Sequence, residues 1–188
     1  MLPQVIRDQP YLLSLPKLIM ETQKINSFSD SNYLKSECNQ AVLEVIGQRN
    51  LDRTAITVHE IKQGEVIAHI LPYSSKAEPD FLSVQIGNKQ HILDTLLEAM
   101  NHSCSPTTFV NIELMQVIAL RDILPGEELT FFYPSTEWKM DRPFQCQCKS
   151  PQCIGLVAGA KSLSISQMVQ FQLNLHIKNM IKCALNFN

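Results

Sequence analysis

Cys146-Gln-Cys148-Lys-Ser-Pro-Gln-Cys153 places three cysteines within eight residues of this 188-residue chain. Thiols this close together cannot easily pair as disulfides, because the disulfide geometry is specific. Structural zinc sites bind four soft ligands in a closed tetrahedron. The spacing therefore predicts three ligands of a structural zinc ion and a fourth ligand from elsewhere. An incidental cluster or a redox pair is the alternative interpretation.

The fourth ligand has to come from outside the array, and four residues are candidates. They are Cys38, Cys104, Cys183 and His102. Cys104 stands out because it lies in the turn-forming stretch Asn101-His-Ser-Cys-Ser-Pro106, whereas Cys38 and Cys183 can be buried thiols. A site closed by four protein ligands stabilises structure and does not activate water.

Composition narrows the class of protein. Hydrophobic residues make up 45% of the chain, which is typical of a soluble globular protein. The formal net charge is −2, so we expect no basic stripe that would bind nucleic acid directly. Pro3, Arg7, Asp8 and Pro10 interrupt the N-terminal stretch, which rules against a signal peptide, and no apolar run could span a bilayer. We expect an intracellular, soluble protein, cytoplasmic or nuclear, with no membrane partner, in which clustered cysteines bind metal.

The hydrophobic pattern predicts many short strands and few helices. A hairpin is predicted around Gly87-Asn88-Lys89. Apolar residues at helical spacing predict one helix over residues 93–100, ended by the 101–106 stretch, and another over residues 164–185. The predicted strands are residues 41–46, 54–58, 65–71, 81–86, 90–93, 108–110, 115–120 and 129–133. This pattern favours a mainly β fold of the α+β class.

Three motifs in this order and spacing resemble the SET-domain methyltransferases that carry a post-SET zinc segment. The motifs are Asn101-His-Ser-Cys104, Gly126-Glu-Glu-Leu-Thr-Phe-Phe-Tyr133 and the cysteine array. Residues 61–67 and 121–127 are similar to two further elements of that family. Residues 131–160 are similar to the small stand-alone SET proteins of microbes. The resemblance covers about residues 41–160.

The resemblance implies a SET-domain fold of small curved β-sheets with short helices. It also implies a pseudoknot in which the segment ending at Tyr133 passes beside Asn101 and His102. The expected organisation is an N-terminal lead-in (1–40), a SET core (41–138), a post-SET zinc segment (139–160) and a C-terminal helix (161–188).

The resemblance also implies a methyl donor, S-adenosylmethionine, and assigns residues to its site. Tyr133 is implied as the catalytic tyrosine, and it also contacts the donor. The other implied donor contacts are Asn101 and His102. Zinc bound at Cys104 would link their turn to residues 144–156, so we expect Phe144 and Leu156 to lie near the donor and to cover its adenine. The implied ligands of the structural zinc ion are Cys104, Cys146, Cys148 and Cys153.

The implied acceptor is a lysine amine of a protein or peptide, with histones among the candidates. A small-molecule amine and a catalytically inactive, peptide-binding SET-like module are the alternatives. The family usually carries Gly-x-Gly where this chain has Asp52-Arg53-Thr54, and Asp52 is a candidate for binding the donor's ammonium. Glu127 and Glu128 follow Pro-Gly, and we interpret them as a turn and a solvated face. The sequence gives no oligomeric state.

Overall fold

Short strands dominate the described part of the chain, which a computed structural model places as residues 32–34, 43–48 and 51–186. The strands are β1 (Asn32–Leu34), β2 (Leu43–Gln48), β3 (Leu51–Thr57), β4 (Val66–His69), β5 (Ser74–Lys76), β6 (Val84–Gly87), β7 (Gln90–Leu93), β8 (Asn101–His102), β9 (Thr108–Asn111), β10 (Gln116–Ala119), β11 (Thr130–Phe131), β12 (Phe144–Gln145) and β13 (Leu156–Val157). The α-helices are α1 (Ile165–Gln170) and α2 (Leu175–Asn186). The predicted mainly β, α+β fold is confirmed.

The strands form several small sheets instead of one large sheet. Three sheets have three strands each, in the orders β1-β2-β3, β4-β10-β9 and β5-β7-β6, and their paired strands are antiparallel. β12 and β13 form an antiparallel pair of their own. The predicted hairpin around residues 87–89 is confirmed by β6 and β7, and the positive φ of Lys89 (50°) lies in its turn. Five strands were not predicted, because two or three residues are too short to show apolar alternation; they are β1, β5, β8, β12 and β13.

A parallel pair of strands brings the predicted active-site segments together. Thr130 of β11 lies opposite Asn101 of β8, and Phe131 lies opposite His102. The amide of Ser103 then donates a hydrogen bond of 3.1 Å to the Phe131 carbonyl. Parallel pairing needs a long connection, which β9 and β10 supply. The predicted passage of the Tyr133 segment beside residues 101–102 is therefore confirmed.

The helix predicted over residues 93–100 is wrong. β7 extends to Leu93, and only a 3₁₀ turn, Leu97–Ala99, follows. Asp94 caps the start of this turn, because its Oδ1 accepts hydrogen bonds from the amides of Leu96 (2.9 Å) and Leu97 (3.1 Å). The stretch at 101–106 consequently begins with β8 and does not end a helix. The apolar spacing reflects burial in the core, not helical periodicity.

The C-terminal segment is helical as predicted, but α1 and α2 are separate helices. The chain between them becomes extended at Phe171 (φ −106°, ψ 147°). Asn174 is buried in this break, where its Nδ2 donates to the carbonyls of Val110 and Ser135, each at 2.9 Å. Its Oδ1 accepts from the amide of Ile112 at 3.0 Å. This fully bonded amide fixes the segment to β9 and to the turn after β11.

The buried apolar residues form two clusters, and the second one bears on the site. The main cluster lies among the sheets and includes Phe131, with Tyr133 packed against it. The second cluster joins Cys104 and Phe132 to Ile177 of α2. The rings of Phe132 and Phe171 stack there with centroids 3.9 Å apart. No helix in the part of the chain that the structure describes is long and apolar enough to cross a membrane.

Candidate active site and metal centre

Four cysteine thiols converge at the place where the sequence predicted a metal site. The Sγ atoms of Cys104, Cys146, Cys148 and Cys153 all lie within 4.8 Å of one another. The Cys104 and Cys146 sulfurs are 3.8 Å apart. Zinc–sulfur bonds of about 2.3 Å in a tetrahedron require sulfurs about 3.8 Å apart, so the cluster has the dimensions of a tetrahedral thiolate site. A metal ion therefore fits these residues.

Two of the other three candidates for the fourth ligand lie among the described residues, and neither belongs to the cluster. Cys183 is exposed on α2 and lies outside it, while Cys38 is outside the described residues. His102 approaches Cys104 but contributes no atom to the group of four. Among the described candidates, the geometry thus favours Cys104.

Local backbone geometry explains how the array folds around a metal. Two turns require a positive φ, at Lys149 (55°) and Gly155 (71°), and they bring the array back onto itself. The amide of Ile154 points at the Cys104 sulfur from 3.4 Å, and the amide of Cys148 points at the Cys146 sulfur from 3.5 Å. Amide donors of this kind stabilise thiolates. Burial raises the pKa of the Cys104 thiol, so metal binding has to supply the free energy for its deprotonation.

His102 lies between the thiol cluster and the predicted catalytic tyrosine. Its Nδ1 accepts a hydrogen bond of 3.2 Å from the amide of Tyr133. Its Nε2 is 3.3 Å from the Cys104 sulfur. The ring also packs against aromatic neighbours, with centroid distances of 5.3 Å to Tyr133 and 5.9 Å to Phe144. The imidazole therefore lies between the predicted metal site and the predicted catalytic tyrosine, and it contacts both.

Tyr133 lines a cavity of about 300 Å³. Its hydroxyl donates a hydrogen bond of 2.9 Å to the carbonyl of Met100. Phe131 and Phe144 also line the cavity, with ring centroids 4.7 Å and 6.2 Å from that of Tyr133. Burial raises the pKa of the Tyr133 hydroxyl above its ordinary value, so the group remains a protonated donor at neutral pH.

Four carboxylates also line this cavity, and sequence reasoning did not single out any of them. They are Asp80, Glu98, Glu137 and Asp141. Glu137 is the most notable, because it lies four residues after Tyr133 and is only 6% exposed. A glutamate in a Pro-Ser-Thr-Glu-Trp stretch gives no local signal that it is buried, so only the fold reveals it.

Asn101 is exposed, and its side chain is held by a neighbouring carboxylate. Its Nδ2 donates to Glu128 Oε1 at 2.7 Å and to the Arg53 carbonyl at 3.2 Å. Thr54 Oγ1 donates to the same Glu128 oxygen at 2.6 Å. Glu127 accepts two hydrogen bonds from Arg121, at 3.0 and 2.9 Å, and so belongs to the predicted turn. Glu128 is exposed, as predicted for a solvated face. It also links Asn101 to β3, because it accepts hydrogen bonds from both Asn101 and Thr54.

The two residues predicted to cover the adenine lie on the β12–β13 pair, but they are placed differently. Phe144 is 38% exposed and lines the cavity. Leu156 is 49% exposed and does not line it. The Phe144 ring packs against the ring of His102 at 5.9 Å, so an exposed apolar side chain that a purine could cover lies next to the predicted donor-binding turn. The residues therefore fit the predicted donor, while the individual donor contacts stay predictions.

Comparison with known proteins identifies the class to which this fold and site belong. The SET domain family matches residues 7–134. The chain is 34% identical over 151 residues to a protein of Aspergillus flavus named "Methyltransferase flvH", over 78% of this chain and 85% of that protein. The chain therefore belongs to the SET-domain family of methyltransferases, as the sequence motifs predicted.

Other relatives in the family are much longer than this chain. The Saccharomyces cerevisiae protein named "Histone-lysine N-methyltransferase, H3 lysine-36 specific" is 29% identical over 133 residues, which is 65% of this chain but 16% of that protein. The corresponding protein of Candida glabrata is 29% identical over 109 residues, which is 53% of this chain and 15% of that protein.

Solved structures of SET proteins resemble this chain at low sequence identity. The methyltransferase domain of human histone-lysine N-methyltransferase SETMAR has a TM-score of 0.47 at 15% identity, over 64% of this chain and 59% of that one. KRYPTONITE in complex with mCHG DNA and SAH has a TM-score of 0.49 at 19% identity, over 62% of this chain and 29% of that one.

Proposed function

We propose that this protein is an S-adenosylmethionine-dependent N-methyltransferase whose acceptor is the side-chain amine of a lysine in a protein. One observation carries the proposal: Tyr133, whose hydroxyl is fixed by the Met100 carbonyl at 2.9 Å, lines a cavity together with the aromatic rings of Phe131 and Phe144. A cavity with an oriented hydroxyl beside aromatic walls suits an alkyl amine and a methyl group that is being transferred.

The donor supplies an electrophilic methyl group, and transfer forms a nitrogen–carbon bond as the carbon–sulfur electron pair returns to sulfur. The protein's part is mostly alignment. The Tyr133 hydroxyl oxygen and the Met100 carbonyl offer weak C–H···O contacts to a methyl group. Apolar walls at Phe131 and Phe144 desolvate the amine, which lowers its pKa and favours the nucleophilic, neutral form.

The metal centre has a structural role in this proposal. Zinc would be held by Cys104 and the three cysteines of the array, and the donor set of four thiols is typical of closed structural sites. Cys104 lies two residues after His102 in the chain, and Phe144 precedes the array by two residues. The ion would therefore fix the two segments that carry the predicted donor contacts.

A histone tail is one candidate substrate, because several relatives are named for histone H3 lysine 36. A small-molecule amine is the second candidate acceptor. It is favoured by the cavity volume of about 300 Å³, which is at the lower end of the range for small-molecule sites. A catalytically inactive module that binds a peptide is the third.

Two measurements on the purified full chain test the proposal. Titration calorimetry with S-adenosylmethionine should show binding at one site. Methyl transfer from labelled donor should appear on a histone H3 peptide that contains lysine 36, and should disappear when that lysine is replaced by arginine. Donor binding with transfer only to small amines would favour the second candidate. Absence of donor binding would exclude both enzyme functions.

A further inference from the structure

Glu137 is presented to the cavity by the same turn that carries Tyr133. A 3₁₀ turn, Tyr133–Ser135, follows β11, and the amide of Glu137 donates to the Tyr133 carbonyl at 2.9 Å. On its other side, the Glu137 carbonyl accepts from the amide of Ala160 at 2.7 Å. The backbone at Glu137 is thus fixed on both sides, next to Tyr133.

One oxygen of the Glu137 carboxylate is bonded and the other is open. Oε1 accepts from the amide of Gln85 at 2.7 Å and from Thr136 Oγ1 at 3.3 Å. Oε2 accepts no hydrogen bond from any described residue. It also does not belong to the described polar atoms that are fully buried without a partner, so part of its surface is accessible. Because Glu137 lines the cavity, its open oxygen is available to a group inside it.

Charge balance distinguishes Glu137 from the other carboxylates of the cavity. Asp80 pairs with Lys76, Glu98 pairs with Arg53 at 3.0 Å, and Asp141 pairs with Arg142 at 3.6 Å. No lysine, arginine or histidine of the described chain lies within salt-bridge distance of Glu137. A carboxylate that is buried without a cation is costly, and a ligand cation would relieve that cost.

The walls around Glu137 favour an alkylammonium ion over other cations. Three aromatic rings line the same cavity, namely Phe131, Tyr133 and Phe144, whereas the Phe81 ring already carries the Arg142 guanidinium 4.3 Å from its centroid. Ring faces attract ammonium groups, and a carboxylate among aromatic rings is a common recognition set for them. Burial raises the pKa of Glu137 to about 7, so the carboxyl can be charged or protonated near neutral pH.

We infer that Glu137 binds the ammonium form of the acceptor through Oε2 and then accepts its proton, which rests on the amine methylation proposed above. An ammonium nitrogen has no lone pair and cannot attack. When one N–H bond breaks, its electron pair stays on nitrogen and the proton moves to the Glu137 carboxylate. The neutral amine is then free to attack the methyl group, and Glu137 returns the proton to water at the mouth of the cavity.

A structural role is the alternative, and it predicts a different result. If Glu137 only accepts the Gln85 amide, glutamine can replace it, because a glutamine Oε1 can accept the same hydrogen bond. Glu137→Gln therefore separates the two roles while keeping shape and burial. Asp122→Asn is the control, since Asp122 is an exposed carboxylate that pairs with Lys62 and does not line the cavity.

Steady-state kinetics with the lysine-36 histone H3 peptide is the first test. We expect Glu137→Gln to raise KM for the peptide by about 10- to 100-fold, with unchanged calorimetric affinity for S-adenosylmethionine. Asp122→Asn should change KM by less than about threefold. Equal KM values in wild type and Glu137→Gln would overturn the inference while the methyltransferase function stands.

Binding of n-butylamine, followed by NMR in the absence of methyl donor, is the second test and does not require activity. The probe should shift the Glu137 side-chain carboxyl resonance of the wild type and lower the pKa read from it, while 1-butanol should not. This holds even if Glu137→Gln fails to fold. If n-butylamine and 1-butanol act alike on that resonance, the inference is wrong. A specific n-butylamine response without methylation of any amine would instead contradict the proposed function alone.

Discussion

The amide of Tyr133 donates a hydrogen bond of 3.2 Å to Nδ1 of His102, and this contact decides which ring nitrogen carries the proton. Burial lowers the pKa of His102 to about 4, so the imidazole is neutral at physiological pH. With Nδ1 accepting, the proton is on Nε2, which faces the Cys104 sulfur at 3.3 Å. The imidazole thus connects the Tyr133 backbone to the thiol cluster.

His102→Ala should weaken metal binding, because a bound thiolate at Cys104 would lose its N–H donor. Partners of metal ligands typically contribute about 10- to 100-fold to metal affinity, and we expect a loss in this range. Competition with a fluorescent zinc chelator measures the affinity. His59→Ala, at an exposed histidine, is the control. If both variants hold zinc as the wild type does, the proposed bond does not support the metal.

Metal removal should loosen the C-terminal segment and the predicted donor site together. Cys104→Ser, or treatment with a strong chelator, should release one equivalent of zinc by elemental analysis. The melting temperature should fall by roughly 10 °C if about 3 kcal/mol of stabilisation is lost. Cys183→Ser, at an exposed thiol outside the cluster, should leave both values unchanged. Full zinc content in Cys104→Ser would exclude Cys104 as a ligand.

Tyr133→Phe should reduce turnover far more than it reduces stability. The hydroxyl makes one hydrogen bond, to the Met100 carbonyl, so its loss should cost about 1 kcal/mol of unfolding free energy. An oriented oxygen at a reacting centre contributes much more, and we expect kcat to fall about 100-fold. Single-turnover methyl transfer and urea denaturation measure the two effects. A variant with wild-type kcat would remove Tyr133 from the catalytic role.

The raised pKa of Glu137 makes stability depend on pH with a predictable sign. Between pH 4.5 and 7 the folded protein keeps a proton that the unfolded chain has lost, so stability falls as pH rises through this window and stays lower above it. A shift in the Glu137 pKa from 4.5 to about 7 corresponds to about 3 kcal/mol.

Glu137→Gln removes this titration, so the variant should gain stability relative to wild type as pH rises. The difference in unfolding free energy, measured by urea denaturation, should grow by about 3 kcal/mol in favour of the variant from pH 5 to pH 8. Comparison at each pH cancels the other titrating groups, including Asp94, whose pKa burial also raises. A difference that does not change with pH would place the Glu137 pKa near its ordinary value.

Gly159→Ala should destabilise the junction between Trp138 and the C-terminal segment. Gly159 has φ of 101°, and an added Cβ would lie 2.6 Å from the Trp138 carbonyl oxygen. Positive φ and this backbone clash together should cost about 3 kcal/mol or more. Gly155→Ala is the control, because Gly155 also has positive φ (71°) but no atom near an added Cβ, so it should cost about 1 kcal/mol. Equal losses of unfolding free energy in the two variants would show that the backbone near Gly159 shifts to relieve the clash.

The strands were largely predictable from sequence, because alternation and turn residues are local signals. The hairpin around Asn88 and the turn after Arg121 followed from glycine and its neighbours. The predicted helix at 93–100 failed because buried residues of a turn can mimic helical spacing. The break between α1 and α2 could not be predicted either, because it depends on hydrogen bonds from Asn174 to carbonyls that are distant in sequence.

By itself, the sequence determined the family, the cysteine array and Tyr133, because each depends on residue types at short spacing. Only the tertiary structure brought Cys104 to the array, 42 residues away along the chain. It likewise gave Glu128 its bond to Asn101 and placed Glu137, open and unpaired, beside Tyr133. The physical reason is that burial and charge pairing depend on neighbours distant in sequence, which no local pattern specifies.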